Sequence, residues 1–124
     1  MRTLPDHVIR TLQPAARMPN FRVLPYSAEK QTKTREKVSA AIAEGNARIW
    51  HLKRLLWHPT QFESCMNYLI QLGEDDFVST KCISSFGILT GCTGDLFEVY
   101  DKESSARTYY EDFETFLADG WVLD

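Results

Sequence analysis

The chain has 124 residues, 44% hydrophobic and 12% aromatic, which suits one globular domain with a real core and excludes a disordered polypeptide. Its net charge of −3 hides a split: residues 1–58 carry eleven Lys/Arg against four Asp/Glu, and residues 59–124 carry three against thirteen. Such asymmetry shapes association with a partner more than it shapes a fold, and no apolar run is long enough for a transmembrane helix.

Residues 1–27 read as an extended, proline-rich arm packed on the body, and residues 28–124 as a single α+β domain. Pro5, Pro14, Pro19 and Pro25 each fix φ and bias the preceding residue away from the helical region. A short turn over Asp6–Leu12 is expected within this arm. The arm lacks the apolar segment of a signal peptide, and its prolines oppose the amphipathic helix of a transit peptide. Cys65, Cys82 and Cys92 are odd in number and lack CxxC spacing, which points to a reducing, cytoplasmic setting.

From Ser27 as N-cap, the spacing of Val38, Ala41, Ile42, Gly45, Ile49, Leu52 and Leu56 predicts one long helix reaching Trp57, ended by Pro59. Thr60 and Glu63 form a capping-box pattern, and Phe62, Cys65, Met66, Leu69 and Ile70 predict a second helix closed by Gly73. Beyond the acidic Glu74–Asp76, the β-branched and aromatic run Phe77–Leu89 reads as strand. Thr90–Gly94 reads as a turn, and Leu96–Tyr100 as the return strand of a hairpin. A third helix is expected from Ser105 to Gly120, with a short strand at Trp121–Leu123. The expected fold is thus α+β: a long N-terminal helix and a second helix packed on a small antiparallel hairpin or sheet, with a C-terminal helix.

No catalytic, cofactor-binding or metal-binding constellation emerges. His51, His58 and Cys65 match no zinc spacing, and Gly91-x-x-Gly94 is too short for a phosphate fingerprint. The candidate functional residues are those of a binding protein. Lys30, Lys33, Lys37, Arg48 and Arg54 would supply a basic surface along the long helix. Trp50 and Trp57, seven residues apart and off the apolar stripe, would anchor a partner. Glu111, Asp112 and Glu114 would form an acidic surface.

The function this favours is a small intracellular inhibitor or adaptor without catalytic activity, of the phage anti-defence, immunity or assembly-factor type. It would bind a charged macromolecule, most simply a protein, and could pair basic half to acidic half as a homodimer. Two alternatives compete. One is nucleic-acid binding through the basic helix and Arg-rich arm. The other is a small enzyme built on Cys92, the thiol in the glycine turn, with His51 or His58.

Overall fold

A computed structural model describes residues 4–45, 49–60, 65–93 and 96–124. The chain order is α1 (Asp6–Thr11), β1 (Pro14–Ala15), β2 (Met18–Leu24), α2 (Ala28–Ala43), β3 (Trp50–Trp57), β4 (Met66–Gln71), β5 (Phe77–Thr93), β6 (Leu96–Asp101), β7 (Arg107–Tyr110), α3 (Phe113–Ala118) and β8 (Val122–Leu123). The strands form one curled antiparallel sheet, a half-barrel in the order β1-β2-β3-β5-β6-β7. In addition, β4 pairs with the first half of β5, and β8 with β3. With 44% strand against 26% helix the protein is mostly β, which overturns the expected α+β arrangement of long helices on a hairpin.

The helix that Ser27 opens is real, with the Ser27 Oγ accepting from the Lys30 amide at 3.3 Å. It stops at Ala43 instead of Trp57. Gly45 takes φ +66°, the left-handed conformation that terminates helices and that glycine adopts without a Cβ clash. Residues 50–57 then run as strand β3. Its second half is buried on both faces, with Leu55 and Trp57 on one and Arg54 and Leu56 on the other. A strand buried on both sides loses its period-two signature, so Ile49, Leu52 and Leu56 imitate a helical stripe.

The expected second helix fails for a related reason. Met66–Gln71 is strand β4, in which Ile70 is buried while Met66 and Leu69 stay exposed, so outward-facing apolar residues create a false helical spacing. The central part of the expected capping box, residues 61–64, lies outside the described residues. The third helix is shorter than expected: residues 107–110 extend as β7, and α3 opens only at Phe113, where the Asp112 carboxylate accepts from the Thr115 amide at 2.7 Å.

Strand partners in an antiparallel ladder share a face, and successive residues alternate. Register therefore divides the sheet into two faces. On one, Leu52, Leu89, Val99, Phe97 and Tyr110 lie beneath Val38 of α2, Phe116 and Leu117 of α3, and Trp121. Phe116 stacks on Phe97 at 5.5 Å between centroids. On the other, Leu4 and Val8 of the N-terminal segment cover Leu24, Leu55, Trp57, Ile70, Val78 and Cys82. The arm's residues thus supply α1 and two strands, with β2 joined to β3 from Arg22↔Trp57 to Leu24↔Leu55.

Gly87 leaves no room for a side chain against the main core, since a Cβ there would stand 2.8 Å from the Trp121 ring. Gly87→Ala is therefore expected to destabilise by about 1–3 kcal/mol through overpacking, read from urea unfolding. At Gly45 the surrounding space is empty, so Gly45→Ala should cost only the conformational penalty of about 1 kcal/mol.

Candidate interaction face

The interior of the sheet is organised by a charge. Arg54, only 1% exposed, donates to Asp119 Oδ2 at 2.8 Å and to Asp101 Oδ2 at 3.0 Å, and its guanidinium lies 4.2 Å from the Trp121 ring centroid. The Tyr110 hydroxyl donates to Asp119 Oδ2 and accepts from Trp121 Nε1 at 3.0 Å, while Asp119 Oδ1 accepts the Ala16 amide at 2.9 Å. Burial and the Asp119 carboxylate hold the Tyr110 hydroxyl far above the usual phenol range. Two buried groups on directly paired residues, Arg54 Nε and the Ser85 hydroxyl, have no hydrogen-bond partner among the described residues.

Arg54 is therefore a structural cation, and Trp57 is a core residue at 5% exposure. Trp50 is half-buried against the main core. Lys33 and Lys37 are exposed on α2, with Lys33 bound to Glu29 at 3.5 Å. Glu111, Asp112 and Glu114 are exposed around the start of α3. Arg35 of α2 pairs with Glu114, which lowers the Glu114 carboxyl below its usual range, and Asp112 is lowered by the Thr115 amide and hydroxyl it accepts. The basic and acidic halves of the sequence thus meet directly where α2 lies beside α3. Arg48 and the side chain of Cys92 lie outside the described residues.

Sequence reasoning missed an open surface on the sheet. The face that α1 covers at one end is not covered by a helix at the other among the described residues. Following the register, one row holds Lys53 and Phe86, and the next holds His51, Ile88, Tyr100 and Arg107. Glu98 and Tyr109 pair in the row beyond, beside Thr90, whose hydroxyl donates to Glu98 at 3.0 Å. The exposed Lys102 follows β6, its amide bonded to the Phe86 carbonyl at 2.9 Å. Phe86 is 38% exposed and Tyr109 55%. Two ion pairs lie among them, Arg107–Glu98 at 3.3 Å and Lys53–Asp124 at 3.7 Å.

A groove of about 620 Å³ adjoins this face. Tyr26, Gln31, Leu55, Tyr68, Leu69 and Phe77 are among its walls, between the β2–α2 connection and β4. Tyr68 is fixed there by a 2.7 Å hydrogen bond between its hydroxyl and that of Ser84. The signal that could have revealed the open face is the polar–apolar alternation Trp50-His51-Leu52-Lys53, which a strand assignment would have placed beside Phe86.

Neither of the two described thiols is activated as a thiolate. Burial pushes Cys82 up to about 12, and burial also raises Cys65. No group of three or more metal-ligating side chains occurs among the described residues, and no helix among them is long and apolar enough to cross a membrane.

Replacing Arg54 with Met leaves Asp101 and Asp119 buried without their cation and is expected to cost about 3–5 kcal/mol. Ser85→Ala removes a hydroxyl with no hydrogen-bond partner among the described residues, so urea unfolding should show it near neutral. For Cys82 the raised folded-state value means its protonated thiol supports the fold below the free thiol's 9.0. That contribution should be lost as pH rises from there toward about 12. A thiol reagent at neutral pH should accordingly modify Cys82 only on unfolding.

Compared with known proteins, the chain matches no family model, no curated protein and no solved structure.

Proposed function

We propose that this protein is a non-catalytic protein-binding module, an inhibitor or adaptor, that docks an acidic partner on the open half of its sheet. The carrying observation is the composition of that surface: Phe86, Ile88 and Tyr100 at the centre, Tyr109 beside them, and Lys53, Lys102 and Arg107 distributed around them. Aromatic and arginine side chains presented on rigid strands are what interface hot spots are made of. The cations Lys53, Lys102 and Arg107 outnumber Glu98 and Asp124 there, which favours a partner whose rim is acidic.

The same mixture speaks against a track for phosphates. Arg107 and Lys53 are each paired with a carboxylate, and those carboxylates would lie against a polyanion. Counterion release rewards unpaired cations in a row, whereas ion pairs interleaved with aromatics suit the mixed polar rim of a protein interface. The buried Arg54 and Trp57 cannot serve, so the binding residues named by this reading are Phe86, Tyr109, Lys102 and Arg107.

The test is affinity capture from the native host with nuclease treatment, followed by binding measurements on the purified partner. Tyr109→Ala and the reversal Lys102→Glu with Arg107→Glu should each weaken that complex by at least about tenfold, the size of a hot-spot loss of roughly 1.4–2 kcal/mol. Capture that disappears with nuclease, or a protein partner indifferent to both changes, would overturn the proposal.

A further inference from the structure

Two ammonium groups from different elements converge on one aromatic ring. Lys30, in the first turn of α2, and Lys53, in the middle of β3, each place Nζ 5.7 Å from the Tyr26 ring centroid. The ring's negative face accounts for part of this arrangement. It does not account for two cations side by side, because ammonium groups carry donors and no acceptor. Lys30 is held below the usual lysine range, first by the approach of Lys53 and then by burial.

The two ammoniums are not equally paired. Asp124 stands 3.7 Å from Lys53 and is the only carboxylate within salt-bridge range of either ammonium among the described residues. Lys33 adds positive potential to Lys30, although Glu29 pairs with it. The Asp124 side chain pairs with Lys53, which leaves the Lys30 ammonium without a carboxylate in salt-bridge range among the described residues. The Lys53 side chain is only 23% exposed, so its position is set by packing more than that of a free surface lysine. A group with lone pairs and negative charge, seated between the two ammoniums, would accept from both and remove their repulsion.

We propose that Lys30 and Lys53 form an oxyanion subsite over the Tyr26 ring, taking the carboxylate or phosphate group of a ligand. The subsite lies where two apolar surfaces meet. Tyr26 also walls the 620 Å³ groove, and Lys53 is the direct cross-strand partner of Phe86 on the open face. A bound oxyanion thus has apolar surface on both sides for the rest of its molecule. The inference goes beyond the docking reading and rests on the lysine pair alone, so it stands or falls whether or not the open face binds a protein.

Sodium phosphate and sodium acetate, titrated separately at constant ionic strength, test it, with lysine side-chain Cε resonances as the readout. Either anion should bind saturably, moving Lys30 and Lys53 together and raising the pH at which Lys30 titrates. Lys30→Gln and Lys53→Gln should each weaken binding about tenfold, the loss of one charge-assisted hydrogen bond, while Lys37→Gln leaves it unchanged. The tighter anion identifies the source chemistry. Lys30 sits on a helix surface, so its variant tests the claim even if the Lys53 variant is destabilised. Shifts that do not saturate, or that affect Lys37 equally, overturn the subsite.

Discussion

Burial of the Arg54 guanidinium is the constraint around which the rest of the fold is arranged. A cation removed from water costs several kcal/mol and is tolerated only where carboxylates and hydrogen bonds surround it. Here the carboxylates come from the end of β6, as Asp101, and the end of α3, as Asp119. Asp119 in turn holds the Ala16 amide in the β1–β2 turn, and the Tyr110 hydroxyl from β7. One side chain on the central strand therefore links the N-terminal hairpin, the far edge of the sheet and the last helix. Two of these elements are separated from it by more than forty residues of sequence. The fold closes on this cluster, and Gly87 and Gly120 are small because Trp121 and Val23 crowd against it.

That cluster also explains why the covered and open faces differ. Arg54 points to the face on which α2, α3 and Trp121 gather, so the apolar weight of the protein accumulates there. Among the described residues the opposite face receives Leu4, α1, Leu12 and Tyr26, enough to cover the Trp57–Cys82 end. What remains bare is not polar in the manner of an ordinary solvated sheet. Half-buried Ile88 and Tyr100 continue across strands into exposed Phe86 and Tyr109. A rigid sheet carrying aromatics into solvent is the feature on which the binding reading depends.

How much of this was legible in the sequence depends on which signal each segment carries. The start of α2 could be read because Ser27 capping is local chemistry. The strand character of Phe77–Leu89 and the return at Leu96–Tyr100 could be read because β-branched and aromatic residues concentrate there. Residues 50–57 could not. Leu52 and Leu56 continue the helical spacing of the α2 stripe, and burial of Arg54, Leu55, Leu56 and Trp57 erases the alternation in the second half of the strand. The period-two signal is thus confined to Trp50–Lys53 and is too short to outweigh the helical one. A helix over residues 50–57 would put Arg54 and Trp57 on the surface and keep Lys53 away from Phe86. The candidate site was invisible for that one reason, since a face made by strand pairing exists only after the pairing is known.

The charge asymmetry of the sequence has a correspondingly divided meaning. Part of it is consumed within the molecule: Arg54 by Asp101 and Asp119, Arg35 by Glu114, Lys53 by Asp124 and Arg107 by Glu98. Each of these except Arg107–Glu98 joins a cation of the first half to a carboxylate of the second, so the split reflects strand order as much as any outward-facing field. The pairs are not equivalent in strength. Arg54 is desolvated and fixed, whereas Arg35–Glu114 is exposed, where water and salt reduce such a pair to a small contribution. What is left over after pairing is local. Lys30 and Lys102 have no carboxylate within salt-bridge range among the described residues, and they stand at the margins of the apolar surfaces around Tyr26 and Phe86. Positive charge beside exposed aromatic carbon, on a chain that is acidic overall, is the electrostatic feature on which the proposed docking of an acidic partner rests.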